Sequence, residues 1–355
     1  MTAEPVLVHR IRMLAIAAAS IVCVACSEEA AVQDSQKAEP ADAGQVVVYS
    51  THGADIVKPV FDAYTAETGV KVFLVSGDFQ DLVEKIHRTG RGPVADLFIA
   101  DNGADLWHAA EQNLFRPIRS AVIIERLPQR LRDPEHLWVA FATRARTVVF
   151  NTDLASDAEL KSIVDYASLT EEPWRDRLCL SSSRIAGNGS LIAMLISDKG
   201  VRAAELIVRG WRSNLAAPVF SDDGNLLQAV AAGRCVIGIA DSSELARVLR
   251  DNADAKVAPF WFSDPGVLHI NATGGGVTRH AQNPELAASL LEWLTSAAAN
   301  ALFAALTLEF PANPGSATDA SIAAWAGFEA NPQNLTDLGF LQEDAVKLAE
   351  RARYP

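Results

Sequence analysis

The chain has 355 residues, 49% of them hydrophobic, and a formal net charge of −13. This length and apolar content allow a large core, and more than one core. The strong negative charge excludes nucleic acid as a partner, because no basic run offsets it. The sequence also lacks the G-x-S-x-G, H-E-x-x-H and phosphate-loop signatures of common enzymes, so we expect no catalytic activity and no required cofactor.

The N-terminus has the pattern of an export signal. Cationic residues precede an apolar stretch at residues 13–25, and Cys26 follows it, which predicts a signal peptide over residues 1–26. Residues 23–26 resemble a bacterial lipobox and predict lipidation of Cys26, although Cys23 replaces the usual leucine and ordinary signal-peptidase cleavage is the alternative. Residues 27–44 are polar and aperiodic, as in a flexible tether. These features predict a periplasmic lipoprotein held at a membrane surface, since no later apolar stretch is long enough to span a bilayer.

From residue 45 onward, strand and helix patterns alternate along the chain. The predicted strands occupy residues 46–49, 70–75, 95–100, 178–180, 236–239 and 269–277. The predicted helices occupy residues 57–68, a short segment around 82–86, and residues 104–113, 191–197, 203–215 and 284–294. This alternation is typical of a parallel sheet covered by helices, and the length fits two α/β lobes.

Two cysteines remain once the signal is removed. Export would leave Cys179 and Cys235 in an oxidising compartment. Each lies just before an apolar run, at the expected start of a strand. If the two strands are neighbours, a disulfide bond can form between them; two buried thiols are the alternative.

Polar residues follow several of the predicted strands. The most informative stretch is residues 236–248, where an apolar run ends at Asp241 and a helical pattern begins after Ser242, Ser243 and Glu244. The carboxyl end of a buried strand beside a helix N-terminus is where open α/β sheets bind ligands. A helix N-cap is the alternative, because Asp and Ser commonly start helices.

Four further polar clusters have the same character. Residues 49–52 and 101–103 follow predicted strands, while Arg144 and Arg146 lie between two extended runs. A loop after the strand at 178–180 begins with Ser181, Ser182, Ser183 and Arg184. Hydroxyl groups and free backbone N–H groups at a helix N-terminus bind anions, and Arg184 or Arg144 can pair with such an anion through two hydrogen bonds. Ordinary turn chemistry is the alternative.

Several longer segments, in this order and spacing, carry a family resemblance. They include VVVYSTH, ADLFIADNGADLW, LLQAVAAGRCVIGIADSSELAR and INATGGGVTRHAQNPELAASLLEWLTS. Over residues 45–354 the chain resembles the periplasmic ferric-iron-binding proteins of ABC importers. The resemblance implies a monomer with a two-lobed type II periplasmic-binding fold, in which mixed sheets are covered by helices, and a membrane permease as partner.

The same resemblance implies the boundaries of the lobes. Lobe 1 would consist of residues 45–143 plus about 268–312, and lobe 2 of residues 144–267 plus about 313–355. Crossing strands near Arg144 and near residues 260–270 would form the hinge between them. The ligand would be captured in the cleft between the lobes.

One hypothesis for the ligand is a metal ion, bound by residues at or near the family's ligand positions. The family's acidic ligand matches Asp101, its tandem tyrosines match Ser243 and Glu244, and His52 lies close to its histidine. Because the paired phenolates are missing, the selectivity for ferric iron that they provide is missing too. Four residues remain as metal ligands, either for a divalent ion or for iron held with a synergistic anion: His52, Asp101, Glu244 and Asp241.

Under the other hypothesis the ligand is a small organic or phosphorylated anion, such as a phosphonate, a phosphate ester or a carboxylate. Small residues in place of aromatic rings would enlarge the cleft. The anion would then be held by Ser181, Ser182, Ser183, Arg184, Arg144, Arg146 and Ser243. A hydrolase with Glu244 or Asp101 as base beside His52 would need a nucleophile, for which the sequence offers no candidate.

Overall fold

The computed structural model describes residues 44–88, 94–262, 268–328 and 330–355. The predicted signal peptide, its lipidation site Cys26 and all but the last residue of the predicted tether lie outside these residues. The strands of the described residues are β1 (Gln45–Ser50), β2 (Lys71–Ser76), β3 (Leu97–Ala100), β4 (Val139–Asn151), β5 (Leu178–Cys179), β6 (Ile237–Asp241), β7 (Val257–Phe260), β8 (Ile270–Val277) and β9 (Phe310–Pro311).

Helices follow most of these strands, as the alternation in the sequence predicts. They are α1 (Ala54–Thr68), α2 (Phe79–His87), α3 (Gly103–Glu111), α4 (Ala121–Arg126), α5 (Asp157–Lys161), α6 (Ala186–Lys199), α7 (Val201–Ser213), α8 (Asp223–Ala231), α9 (Ser242–Asp251), α10 (Pro284–Leu294), α11 (Ala297–Thr307), α12 (Leu335–Gly339) and α13 (Gln342–Ala352). Within the described ranges, no single helix is long and apolar enough to cross a membrane. The pair α10 and α11, bent by 76°, passes the same test of length and composition.

The strands form one mixed sheet in the order β2-β1-β3-β8-β4-β6-β5, and β7 and β9 also pair with β4. At one end β1 runs parallel to both β2 and β3, and at the other end β5 runs parallel to β6. In the middle, β8 is antiparallel to β3 and to β4. The α/β class and the mixed character of the sheet therefore agree with the sequence.

One strand, β4, is longer than its sequence pattern indicates. The expectation that Arg144 and Arg146 lie between two extended runs is wrong, because both lie within a single strand of 13 residues. The two charged residues interrupt the apolar pattern, but the backbone continues through them. A strand buried along nearly all its length tolerates two arginines only where other elements supply carboxylates to neutralise them.

The core is built from large apolar side chains on both sides of the sheet. Fully buried examples are Trp138, Trp174, Trp211, Phe98, Phe141 and Phe303. The parallel neighbours β5 and β6 bring Cys179 and Cys235 together, with Cα atoms 5.8 Å apart, and the structure joins the two residues by a disulfide bond. The sequence allows this bond only if the two strands are neighbours, and β5 and β6 are neighbours in the sheet.

Candidate ligand-binding site

A cavity of about 600 Å³ lies where β1, β3 and β6 end. Parallel strands place their carboxyl ends, and the N-termini of the helices that follow, at a common edge of the sheet, which explains why polar residues gather there. The charged and titratable residues that line the cavity include His52, Asp101, Arg144, Asp241, Glu244 and Glu309.

Arg144 lies on the wall of the cavity and is held by three partners. Its Nε donates to Asp241 Oδ2 at 3.0 Å, and its Nη1 donates to Glu309 Oε1 at 2.9 Å and to the backbone oxygen of Asp101 at 2.5 Å. The side chain is only 10% exposed. Although burial alone would lower its pKa, the carboxylates of Asp241 and Glu309 raise it, so the guanidinium group stays charged. Arg144 is therefore already neutralised by the protein.

Arg146 lies deeper and does not line the cavity. Its guanidinium group is fully buried and pairs with both oxygens of Asp223, while Nη1 lies 3.3 Å from Asp241 Oδ1. Nη2 also donates to Asn188 Oδ1 at 2.7 Å and to Ser181 Oγ at 3.2 Å. Every one of these partners sits at the end of a strand or the start of a helix. Arg146 therefore fixes the floor of the cavity and does not contact its contents.

The role of Asp241, which the sequence leaves open, follows from these contacts. It occupies the N-cap position of α9, yet its side chain makes no capping hydrogen bond within the described part of the chain. Burial opposes its ionisation, but Arg146 and Arg144 outweigh burial and hold the pKa of Asp241 below its ordinary value. Asp241 is thus an ionised bridge between two arginines. Asp241 therefore stands at the N-cap position of α9, as the alternative interpretation predicts, but its side chain pairs with the arginines and does not cap the helix.

The hydrogen bonds of His52 determine which ring nitrogen carries the proton. Thr273 Oγ1 donates its single proton to Glu309 Oε1 at 3.0 Å, so toward His52 it can only accept. His52 Nε2, 3.3 Å from Thr273 Oγ1, must therefore be the protonated nitrogen. Burial lowers the pKa of His52 and keeps the ring neutral. Nδ1 then carries a lone pair, and no described residue bonds to it.

Two carboxylates of the cavity also keep an oxygen without a protein partner among the described residues. Asp101 Oδ1 accepts from Thr51 Oγ1 at 3.0 Å and from Asn102 Nδ2 at 3.2 Å, which leaves Oδ2. Glu244 Oε1 pairs with Arg247, which leaves Oε2 on a side chain that is 39% exposed. Burial raises the pKa of Glu244, while Arg247 lowers it. A further cation nearby would therefore favour the ionised carboxylate.

The predicted metal ligands do not form a ready-made metal site. His52 and Asp101 follow β1 and β3, whereas Asp241 and Glu244 belong to the turn from β6 into α9. In the part of the chain that the structure describes, no three His, Cys, Asp or Glu residues are grouped closely enough to hold a metal ion. The structure brings all four to one cavity but on different sides of it.

None of the four predicted anion-binding residues of the serine loop, Ser181, Ser182, Ser183 and Arg184, lines this cavity. Ser181 Oγ donates to Asp223 Oδ1 at 2.5 Å beneath the cavity floor. Ser182 Oγ and the backbone N–H of Ser183 donate to the backbone oxygen of Pro355. These hydroxyls, and Arg184 beside them, line a separate cavity or the surface near α13. Of the predicted anion-binding residues, only Arg144 and Ser243 line the cavity at the strand ends.

Two central carboxylates, Asp223 and Glu309, carry no signal in the sequence that separates them from ordinary surface acids. Asp223 is the first residue of α8, where an acid is common, and Glu309 lies in a short turn before β9. The available signal is indirect. Two arginines inside an apolar strand require buried partners, but the pattern does not tell which of the 44 acidic residues supply them.

A buried histidine below the site makes stability depend on pH. His269 is fully buried, and neither ring nitrogen has a partner among the described residues. Burial lowers its pKa to about 3, against about 6.5 in the unfolded chain. The unfolded state therefore binds the proton first, and the free energy of unfolding is expected to fall from about pH 6.5 downward, by up to about 1.4 kcal/mol per pH unit from this group.

Urea unfolding at pH 7.5, 6.5 and 5.5 checks this expectation. The variant His269→Leu should show a flatter decline over this range than the native chain. The matched control is His280→Leu, which removes an exposed histidine and should leave the decline unchanged. Parallel declines for the native chain and His269→Leu would contradict the prediction.

Comparison with known proteins agrees with the fold. Residues 60–330 match the family described as bacterial extracellular solute-binding protein. Iron uptake protein A2 of Synechocystis is 30% identical over 310 residues, covering 85% of this chain and 87% of that protein. Iron uptake protein A1 of the same organism is 29% identical, covering 88% of each chain.

A solved structure gives the same result. The Trichodesmium protein IdiA, or FutA, in complex with iron and citrate ligands aligns with a TM-score of 0.83 and 32% identity, covering 88% of this chain and all of that one. This likeness confirms the predicted type II periplasmic-binding fold and the resemblance to ferric-iron-binding proteins. The prediction that the chain is not an enzyme is confirmed as well, since its relatives are solute-binding proteins. The chain belongs to the family of bacterial extracellular solute-binding proteins.

Proposed function

We propose that this protein is the periplasmic receptor of an ABC importer for ferric iron, which it takes up together with a small carboxylate anion such as citrate. It delivers this cargo to a membrane permease, and it is held at the membrane by the predicted lipid on Cys26. The observation that carries the proposal is the charge of the cavity, in which carboxylates outnumber arginines and neutralise them. The relatives named for iron uptake, and the solved structure with iron and citrate, support it.

The charge of the cavity favours a cation or a metal complex over a free anion. Its lining contains two arginines, Arg144 and Arg247, and both already pair with carboxylates. It also contains six acidic residues, namely Asp101, Asp222, Asp223, Asp241, Glu244 and Glu309. The buried Arg146 beneath the floor reduces this excess by only one charge. A concave surface with this balance attracts cations and repels an uncompensated anion.

Three groups in the cavity have lone pairs that no described residue uses: His52 Nδ1, Asp101 Oδ2 and one oxygen of Glu244. An imidazole whose other nitrogen donates a hydrogen bond is the usual form of a metal-binding histidine. Carboxylate oxygens are hard donors, as ferric iron prefers. The proposal assigns these three residues to the metal and leaves its remaining positions to the anion.

The distribution of these groups supports closure around the cargo. We treat residues 45–143 with about 268–312 as one lobe, and residues 144–267 with about 313–355 as the other. His52 and Asp101 then belong to the first lobe and Glu244 to the second. Closing the cleft brings them to a common ion, and the anion fills the space that tyrosine rings take up in proteins with the tandem tyrosines. Ser243 and Glu244 occupy the matching positions here.

A free organic anion is the second candidate, and the contacts of its predicted residues speak against it. Ser182 and Ser183 donate to the backbone at residues 354 and 355, and Arg146 is saturated by Asp223, Asp241 and Asn188. An anion at Arg144 would meet a guanidinium group whose charge Asp241 and Glu309 already neutralise. Binding of a free organic anion is therefore one of the outcomes that the thermal-shift measurement distinguishes.

Ferric citrate is expected to stabilise the protein against heat. At a ligand concentration of 100 times Kd the stabilisation is about 2.7 kcal/mol, which raises Tm by several degrees for a chain of this size. The measurement is a thermal-shift panel containing ferric citrate, citrate alone, divalent metals, phosphonates and sugar phosphates, together with metal analysis of natively purified protein. Because no tyrosine lies among the described cavity residues, bound iron should lack a phenolate charge-transfer band.

Two variants test whether the response arises in this cavity. Glu244→Gln removes a charge that the proposal places on the metal and should weaken ferric citrate by about tenfold or more. Glu343→Gln removes the charge of an exposed glutamate on α13 and should leave binding unchanged. If no metal shifts Tm while phosphonates or sugar phosphates do, the cargo is a free anion and the iron proposal is wrong.

A further inference from the structure

The strand β4 changes its hydrogen-bonding partners on both edges within a few residues. On one edge it pairs with β8 up to Ala145, and β7 takes over from Val148. On the other edge it pairs with β9 at Ala142 and Thr143, and β6 takes over from Arg146. The strand pairing of β4 therefore stops at residues 146–147 on the edge shared by β8 and β7, and at residues 144–145 on the edge shared by β9 and β6. These two staggered interruptions fall on the stretch that carries Arg144 and Arg146.

Side-chain hydroxyl groups occupy the two interruptions. On the β6 edge, the backbone N–H of Ala145 donates to Ser242 Oγ at 3.0 Å. On the β8 edge, the N–H of Arg146 donates to the backbone oxygen of His269 at 2.9 Å, as in a normal antiparallel pair. In a normal pair the N–H of His269 would donate directly to the backbone oxygen of Arg146, but here the hydroxyl of Tyr166 lies between these two groups. The N–H of His269 donates to Tyr166 Oη at 3.1 Å, and Tyr166 Oη donates to the backbone oxygen of Arg146.

Tyr166 reaches this position from a short 3-10 helix, Tyr166–Thr170, which lies between α5 and β5 in the chain, and it is firmly anchored there. It is 1% exposed, its backbone oxygen accepts from Trp211 Nε1 at 2.7 Å, and its ring meets Phe262 edge to face with centroids 4.8 Å apart. The hydroxyl of an anchored ring can keep both backbone groups satisfied while the strands rotate slightly. A direct ladder bond would fix their angle.

The geometry points to Tyr166 as a positioning residue for ligand capture, with its hydroxyl as the pivot between β4 and β8. The bridge joins His269, the residue just before β8, to Arg146, which orders the cavity floor through Asp223 and Asp241. This inference rests on the proposed function in one respect, that the two halves of the sheet move against each other on binding. The pivot itself is a single atom, Tyr166 Oη.

The test is Tyr166→Phe, which removes that oxygen and leaves the buried ring. The matched control is Tyr354→Phe, which also removes a buried hydroxyl, one that donates to the backbone oxygen of Ser181 at 2.6 Å and makes no hydrogen bond to the described residues of β4 or β8. Spin labels on cysteines introduced at the exposed positions Asp62 on α1 and Leu206 on α7 report the distance between the two halves. The second measurement is the dissociation rate of ferric citrate.

In the ligand-free protein, Tyr166→Phe is expected to broaden or shift the label distance distribution, because two buried backbone groups lose their bridge and the population ratio of the arrangements changes by about tenfold. The dissociation rate should change by a similar factor, while Tyr354→Phe alters neither quantity. Equal distributions for Tyr166→Phe, Tyr354→Phe and the native chain would overturn the inference. A changed distribution without ferric citrate binding would support the pivot and remove the iron proposal instead.

Discussion

Replacing Arg146 by methionine is expected to cost about 3–5 kcal/mol in the free energy of unfolding. Methionine fills much of the same space, so the loss comes from the carboxylates left behind. Asp223 and Asp241 would remain buried, and only Asp241 would keep a guanidinium partner, in Arg144. Removing one member of a buried ion network leaves an uncompensated charge in a medium of low polarity, which explains the size of the effect.

Urea unfolding of the purified protein measures this loss, and an exposed ion pair supplies the control. Arg175 is 57% exposed and pairs with Glu172 three residues earlier at 2.9 Å. Arg175→Met should change the unfolding free energy by less than about 1 kcal/mol, because water solvates either partner alone. Similar losses for Arg146→Met and Arg175→Met would show that the buried network does not hold the cavity floor together.

The same arginines show how much of the fold follows from local pattern. The alternation of strand and helix patterns predicts the order of the elements well, because each element buries one apolar face or run of its own. β4 departs from this rule. Its continuity depends on Asp223, Asp241 and Glu309, which lie 77 to 165 residues away from the arginines that they neutralise. No local pattern encodes such a distant pairing.

The candidate site, too, can be predicted from the sequence only in part. His52, Asp101 and Glu244 can be found from sequence because polar residues at strand ends share one edge of a parallel sheet. The serine loop meets the same criterion, yet its hydroxyls bind the backbone next to Tyr354 and Pro355. Whether a hydroxyl faces a ligand or another segment is decided by tertiary packing. Hydroxyl-rich turns can satisfy either partner equally well.

The bond between Cys179 and Cys235 should contribute about 4 kcal/mol to stability, because it closes a loop over a sequence separation of 56 residues and restricts the unfolded chain. Native-state strain and residual structure in the unfolded chain can reduce this value. Changing both cysteines to alanine should therefore lower the free energy of unfolding by several kcal/mol in urea titrations carried out without reductant.

A double-mutant cycle separates this covalent bond from ordinary packing of two buried thiols. If the bond exists, Cys179→Ala alone and Cys235→Ala alone each remove the whole cross-link, so each should cost nearly as much as the double variant. If the thiols are merely buried neighbours, the two single losses are smaller and sum to the double loss. The cycle distinguishes these outcomes because both side chains are about 1% exposed or less, so each substitution removes similar packing. A strongly non-additive result thus identifies a cross-link, and an additive result contradicts it.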